Sequence, residues 1–186
     1  MNKRFFAALI ASVATLWVAG GACAQSYYTE KGKVQFESEA TMESFTGTSE
    51  SLVGKVNLAD KSLDFYLDLA TLTTGVGLRD EHMRENHLET EKFPFAEFFG
   101  TLEDDFDPQG TEQQEVTAKG VFKIHGVERE IEVIGSMWVS DGKLHLNASW
   151  QLKLADYEIS RPSFLFLKLS DTQEISMNLV LEQVDS

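Results

Sequence analysis

The stretch LHLNASWQLKL, residues 144–154, places apolar residues at every second position and polar residues between them. Helical spacing would scatter these apolar residues around a cylinder, whereas a strand puts them all on one face. The same alternation recurs over residues 63–69 and 127–133. Repeated strands with one apolar and one polar face are typical of antiparallel sheets, so the sequence predicts an all-β fold.

Short turn signals separate these segments, namely Ala59-Asp60-Lys61, His125-Gly126 and Asp141-Gly142. Such turns make neighbours in sequence pair directly. The predicted strands are Lys33–Ala40, Glu50–Leu58, Ser62–Ala70, Phe95–Glu103, Glu115–Ile124, Val127–Val139, Leu144–Leu154 and Gln173–Leu181. Eight antiparallel strands are a natural number for a closed barrel.

A charged stretch, residues 78–91, lacks this alternation and predicts a short helical insertion at Asp80–Leu88, with Asp80 as its N-cap. Two histidines in it, His82 and His87, invite a zinc site. They are five residues apart, about 140° around a helix, so they cannot share one face. Arg79 and Arg84 would also oppose a cation. We therefore predict no metal site.

The first residues predict a secretory signal, residues 1–24, with Lys3 and Arg4 before an apolar run that ends in Ala22-Cys23-Ala24. A membrane anchor is the alternative, although the run is shorter than the roughly 20 residues that a spanning helix needs. Lipidation at Cys23 is a second alternative. We expect residues 25–186 to form one domain, without a cysteine, located in the periplasm.

The predicted domain is strongly acidic. The whole chain has 16 basic and 30 acidic residues, and loss of the signal leaves 14 basic against 30 acidic, a formal charge of −16. Such a surface repels nucleic acid and anionic headgroups, so we expect no nucleic-acid partner.

The period-two pattern also predicts which side chains face the interior. They are Phe36, Leu52, Val56, Phe65, Leu67, Phe122, Trp150 and Met177. Small barrels either fill themselves with such side chains or hold one apolar ligand. Small residues at inward positions favour a cavity, although they could equally mark bends: Gly54, Ala118, Gly120, Gly135 and Ala148.

Catalytic motifs give little support to an enzyme. The sequence contains no Gly-x-Ser-x-Gly elbow and no phosphate-binding glycine loop, and the predicted domain has no thiol. Asp80 with His82 could transfer a proton, and Arg79 could hold an anionic head. We instead expect Arg79 and Asp80 to form an ion pair and cap that fix the insertion against the barrel, or the insertion to cover a cavity and meet a ligand's polar head. We predict no catalytic residues.

Three motifs resemble the YceI-like family, the polyisoprenoid-binding, lipocalin-like periplasmic proteins. The first is Phe36 and Ser38 followed by Ser44-Phe45-Thr46-Gly47. The second runs from Thr74-Gly75 through Arg79-Asp80 and His82-Met83-Arg84 to Lys92-Phe93-Pro94-Phe95. The third is Gly120-Val121-Phe122-Lys123-Ile124-His125-Gly126. Two stretches depart from the family pattern, Leu88-Glu89-Thr90-Glu91 and Asp156-Tyr157 through Pro162-Ser163-Phe164.

The resemblance implies an eight-stranded antiparallel, lipocalin-like barrel whose apolar bore takes a polyprenyl chain or a similar amphiphile, with no demonstrated chemistry common to the family. We expect no cofactor. We therefore expect a periplasmic protein that sequesters or transports an isoprenoid, such as a polyprenyl or quinone-type lipid. The expected ligand-binding residues are Phe36, Phe65, Leu67, Phe122, Trp150, Met177, Arg79, Asp80 and His82. An enzyme acting on such a lipid and an envelope interaction module with a filled barrel stay open, as do transient membrane contact and a homodimer.

Overall fold

The computed structural model describes residues 25–40, 44–161, 163–164 and 167–184. The predicted signal, including Cys23, lies outside these residues, as does Pro162. The strands in the described part are β1 (Ser26–Ala40), β2 (Ser44–Asn57), β3 (Ser62–Asp68), β4 (Phe95–Leu102), β5 (Gln114–Ile124), β6 (Val127–Ser140), β7 (Lys143–Lys153), β8 (Ser163–Phe164) and β9 (Leu167–Val184). The helix α1 spans Gly77–His82 and continues into a π-helical turn at Met83–His87, and short 3-10 turns lie at Leu69–Thr71 and Leu154–Tyr157.

Eight of the nine strands found in the described residues form a closed antiparallel barrel. Strands β1 to β7 pair in chain order, β7 pairs with β9, and β9 pairs back with β1. The two-residue strand β8 is a hairpin partner of β9 alone. The predicted all-β, eight-stranded barrel with one short helical insertion is confirmed.

Two tight turns follow the predicted chemistry. His125 and Gly126 join β5 to β6 with φ of 55° and 77°, and Asp141 and Gly142 join β6 to β7 with φ of 52° and 74°. Positive φ at both central residues matches the right-handed twist of the flanking strands. These turns fix the register in which alternate side chains face inward.

Strand β1 begins seven residues before its predicted start, and β2 begins six residues before its predicted start. The difference arises because a bulge disturbs the alternation. The β1–β2 pairing shifts between Thr29 and Gly32 and again between Gly32 and Val34. On β2, the adjacent residues Glu50 and Ser51 are both exposed. An extra residue in one strand breaks the period of two and increases the local twist.

One end of the barrel, which we call the base, is solidly packed. It lies where β2 meets β3, where β6 meets β7, and where both chain ends of the barrel come together. Its largest side chains are at most 2% exposed: Tyr27, Val56, Leu63, Met137, Leu144, Leu179 and Leu181. Of the two alternatives, a filled core and a cavity, the filled core is found in this half of the barrel.

The helical insertion lies at the opposite end, between β3 and β4. Its predicted start at Asp80 is wrong: α1 begins at Gly77, and the residue at the N-cap position is Val76, which makes no side-chain cap. Asp80 lies in the first turn of the helix, where its N–H donates to the Val76 carbonyl at 3.0 Å. Its carboxylate bonds to residues that precede the helix, so an acidic residue that resembles a cap in sequence has another role.

Candidate functional site

The barrel is hollow above the base. The cavity has a volume of about 750 Å³ and reaches from Leu63, Leu102 and Val116 up to the helical insertion. That size lies within the range of roughly 300–1,000 Å³ that small-molecule sites occupy. Most of the wall is aliphatic or aromatic, which suits an apolar occupant.

The structure places most of the sequence-predicted residues on this cavity. The six predicted apolar residues all line it: Phe36, Phe65, Leu67, Phe122, Trp150 and Met177. Leu52 also lines the cavity, whereas Val56 faces inward below it and is fully buried in the base. Strand alternation therefore placed these seven apolar residues on the cavity wall correctly.

The small inward residues divide into two groups. Ala118, Gly135 and Ala148 line the cavity. A side-chain carbon at Gly54 would lie 2.7 Å from both Leu179 and Phe65, and one at Gly120 would lie 2.2 Å from the Phe99 carbonyl oxygen and 2.9 Å from the Phe98 ring. Neighbouring side chains fill the space at Gly54, and the backbone of β4 closes it at Gly120, so only the first group contributes open volume.

Aromatic side chains pack against each other around the upper wall. Phe36 meets Phe45 edge to face, with ring centroids 6.0 Å apart. Phe122 makes similar contacts with Trp150 at 6.0 Å and with Tyr157 at 5.6 Å. These geometries are favourable for aromatic pairs and hold the rings in fixed orientations.

Gly47 allows the Phe36 ring to lie directly against the β2 backbone. A side-chain carbon at this position would come within 2.1 Å of the Phe36 ring. A larger residue there would push Phe36 into the cavity. In the sequence Gly47 stands out only as part of the family motif, because this contact depends on the pairing of Phe36 with Gly47 across β1 and β2.

Arg79 lies at the rim of the cavity, by which we mean its upper end beside the helical insertion, and is held by Thr74 and Phe45. Its Nε–H donates to the Thr74 hydroxyl at 2.8 Å, and its guanidinium carbon lies 4.4 Å from the centre of the Phe45 ring. Among the described residues it forms no ion pair with a carboxylate. A half-buried cation that is oriented but not neutralised can bind an electronegative atom of a ligand.

Asp80 does not line the cavity, and the expected ion pair with Arg79 is wrong. The Thr74 hydroxyl lies between them: it accepts from Arg79 and donates to Asp80 Oδ1 at 2.5 Å. Asp80 also accepts the Thr74 N–H and the Thr73 hydroxyl, each at 2.7 Å, and is 6% exposed. It therefore anchors α1 to the segment before it.

Burial opposes ionisation of Asp80, but the hydrogen bonds from Thr74 and Thr73 and the charge of Arg84 outweigh it, so the pKa of Asp80 lies below its ordinary value. The carboxylate is consequently a fixed anion at neutral pH. A base that is ionised, saturated with donors and turned away from the cavity is poorly suited to proton transfer.

The two histidines of the insertion differ in their surroundings. His82 lines the cavity rim and is exposed. His87 also lines the cavity, and its Nδ1–H donates to the Ser160 carbonyl at 2.9 Å. Desolvation lowers the pKa of His87 despite the Ser160 hydrogen bond, which acts to raise it. His87 therefore connects the insertion to the segment after β7.

A second connection joins the same two segments outside the cavity. His125 donates from Nδ1 to the Tyr157 carbonyl at 3.1 Å, and its Nε2 lies 3.1 Å from Glu89 Oε2. The Phe93 ring packs against the imidazole with centroids 4.8 Å apart. A role for His125 beyond its turn could not be predicted from the sequence, because its partners are 32 and 36 residues away.

Two polar residues, Ser38 and Gln173, also line the upper cavity and were not predicted. They are paired across β1 and β9 and are 1% and 5% exposed. Gln173 donates to the Ser170 carbonyl at 2.8 Å, whereas Ser38 Oγ is a buried polar atom for which the described residues provide no partner. A serine in an alternating strand looks like any outward polar residue, so the sequence did not reveal its position.

Within the described ranges, no group of three or more His, Cys, Asp or Glu side chains is arranged to hold a metal ion. No helix in that part of the chain is long and apolar enough to cross a membrane.

A family model described as "YceI-like domain" matches residues 27–181. No curated protein matches the chain. The fold resembles a polyisoprenoid binding domain from Saccharophagus degradans implicated in plant cell wall breakdown, with 17% identity, 87% of this chain and 99% of that chain covered, and a TM-score of 0.73. It also resembles BcnA of Burkholderia cenocepacia, with 15% identity, 81% of this chain and 96% of that chain covered, and a TM-score of 0.67. A Campylobacter jejuni YCEI protein is similar with 15% identity, all of both chains covered, and a TM-score of 0.54.

Proposed function

This chain belongs to the YceI-like domain family, and on that premise we propose that it binds an isoprenoid, of the polyprenyl or quinone type, or a similar long-chain amphiphile. The apolar tail lies inside the barrel and the polar head lies at the rim. The observation that carries the proposal is the apolar cavity of about 750 Å³ above a packed base. The likeness to a polyisoprenoid binding domain supports the same class of ligand.

The energetics favour such a tail. Each methylene removed from water contributes about 0.8 kcal/mol. Binding must offset the lost freedom of the ligand, which costs on the order of 4–15 kcal/mol. A tail of several isoprene units exceeds this cost, whereas a short apolar molecule does not, so the cavity selects long chains.

The rim provides the contacts for the head. Arg79 is fixed by Thr74 and by the Phe45 ring, and His82 lies beside it on the cavity wall. We assign these two residues to the polar head, with the tail against Phe36, Phe65, Leu67, Phe122, Trp150 and Met177. Asp80 acts indirectly, by positioning the segment that carries Arg79.

We further propose that the domain works in the periplasm after export, as a carrier or store that keeps the tail out of water between membranes. The acidic surface, a formal charge of −16 after loss of the predicted signal, favours release from anionic headgroups after transient contact. Binding without chemistry is the simpler role, since Asp80 is committed to Thr73 and Thr74.

The test compares two substitutions on β7 that add the same ring on opposite faces. Ala148 lines the cavity at mid-height, and Ser149 is exposed on the outside. Ala148→Phe adds six carbons to the cavity, a loss to the tail of up to about 5 kcal/mol at 0.8 kcal/mol per methylene. If the tail bends and so recovers half of this binding free energy, the remaining loss of about 2.5 kcal/mol lowers affinity about 70-fold.

Binding is measured by titration with a fluorescent probe that carries a long alkyl chain. We expect Ala148→Phe to weaken binding strongly and Ser149→Phe to leave it unchanged, with both proteins folded by circular dichroism. Equal affinities for the two variants would show that the probe binds outside the barrel, and the proposed function would fail.

A further inference from the structure

The cavity has a closed lower end. Its lowest lining residues are Leu63, Leu102 and Val116, which are 1%, 5% and 4% exposed. Directly below lies a layer of fully buried side chains that do not touch the cavity: Val56, Met137, Leu144 and Leu181. We call Leu63, Leu102 and Val116 the floor of the cavity. A tail that enters from the rim reaches the floor and cannot leave through the base.

The floor is rigid because it rests on close-packed neighbours. Interiors of this kind have few voids and low compressibility, so a tail cannot deepen the cavity without displacing buried side chains. Just above, the Phe98 ring lies over Gly100 and Gly120 and stacks on Phe65 with centroids 6.3 Å apart. These stacked rings leave little freedom for the lower wall to move.

The rim, in contrast, is open. Val76 and Leu78 line the upper cavity and are 49% and 64% exposed. Apolar side chains exposed beside an apolar cavity can accompany a tail as it leaves the barrel. The part of a tail that is too long for the cavity is therefore accommodated at the rim and not at the floor.

The volume sets the capacity. One water molecule takes roughly 30 Å³ in the liquid, and we use this volume for each non-hydrogen atom of the ligand. The cavity of about 750 Å³ then holds about 25 such atoms. We propose that the floor limits the enclosed ligand to about 25 non-hydrogen atoms, four to five isoprene units with a small head, so that the excess of any longer chain projects from the rim. This inference rests on the proposed function and specifies the ligand's length.

The direct test is a series of polyprenols with two to eight isoprene units, each competing against the same fluorescent alkyl probe. Within the cavity every added methylene can raise affinity by up to about fourfold. We expect affinity to rise at least tenfold per unit up to four or five units, and then to change less than about threefold per unit, because further carbons stay outside.

A substitution near the floor must move this limit. Ala118 lines the cavity one inward position above Val116, and Ala118→Phe adds six carbons there, about one isoprene unit. We expect the break in the series to occur one unit earlier. Val121→Phe is the control, since Val121 lies on the outer face of the same strand and is 37% exposed. If Ala118→Phe does not fold, Ala118→Leu adds three carbons; affinity should then fall for prenols of five or more units and stay unchanged for those of two or three units.

The outcomes separate the two proposals. If no prenol displaces the probe, the proposed function is wrong. If prenols bind but affinity keeps rising through eight units, or if the break stays in place when Ala118 is replaced, the proposed function stands and the floor does not limit the ligand.

Discussion

Removal of the Asp80 carboxylate should free α1 from the barrel. Asp80 accepts three hydrogen bonds, from the Thr73 hydroxyl and from the N–H and hydroxyl of Thr74, and is 6% exposed. Hydrogen bonds to a charged group contribute about 1.5–3 kcal/mol each. The threonine hydroxyls can turn toward water, so we count the N–H and one hydroxyl at the lower value. Asp80→Ala is then expected to lower the free energy of unfolding by about 3 kcal/mol.

For a domain of this size, about 3 kcal/mol corresponds to a decrease in Tm of roughly 6–12 °C. Asp80→Asn should have a smaller effect, since its carbonyl oxygen can still accept from Thr74. Glu81→Ala is the matched control, because Glu81 is the next residue on the same helix and is exposed. It should leave Tm within about 1 °C, as surface substitutions do.

Thermal unfolding gives the magnitude, and hydrogen exchange read by mass spectrometry gives the location. We expect faster exchange at residues 73–83 in Asp80→Ala and unchanged exchange in β5 to β7. The lowered pKa of Asp80 adds a pH dependence: the stabilisation is complete above the ordinary aspartate pKa of about 3.9 and is lost as pH falls through the folded value. Equal Tm values for Asp80→Ala and Glu81→Ala would refute the role of Asp80 as an anchor.

Two further predictions concern single side chains of the upper cavity. Ser38→Ala should raise the free energy of unfolding by about 1 kcal/mol, measured by urea denaturation, because Ser38 Oγ is buried and has no partner among the residues that the structure describes. A loss of stability would contradict this, because it would mean that the hydroxyl is hydrogen-bonded. His87 has a lowered pKa, so the unfolded chain binds its proton more readily and stability should decrease as pH falls below about 6.5. His87→Gln should remove this part of the pH dependence of stability while keeping a donor for the Ser160 carbonyl. An unchanged profile of stability against pH in this variant would contradict the role of His87.

The architecture was largely readable from the sequence because one rule, alternation, determines both the strands and their inner face. Trp150 and Phe122 were correctly placed on the interior for this reason. The rule failed where the backbone departs from regularity. The bulge opposite Glu50 and Ser51 hid the first halves of β1 and β2, and no residue type marks it uniquely.

The boundary between the packed base and the cavity could not be read from the sequence. Gly54 and Gly135 look alike in their strands, yet Leu179 and Phe65 fill the space at Gly54, whereas Gly135 lines the cavity. Which neighbour fills which space depends on pairing between distant strands. The same limit applies to Asp80, whose partners Thr73 and Thr74 were visible in sequence although the direction of its side chain was not.

The central claim is that the hollow half of this barrel encloses the tail of a lipid. A native mass spectrum of the protein, purified from its own host without detergent, tests it most directly. We predict one added mass per protein that disappears after extraction with organic solvent and fragments as a long-chain lipid. A spectrum that shows the bare polypeptide alone, under conditions that preserve a reference lipid complex, would contradict the claim.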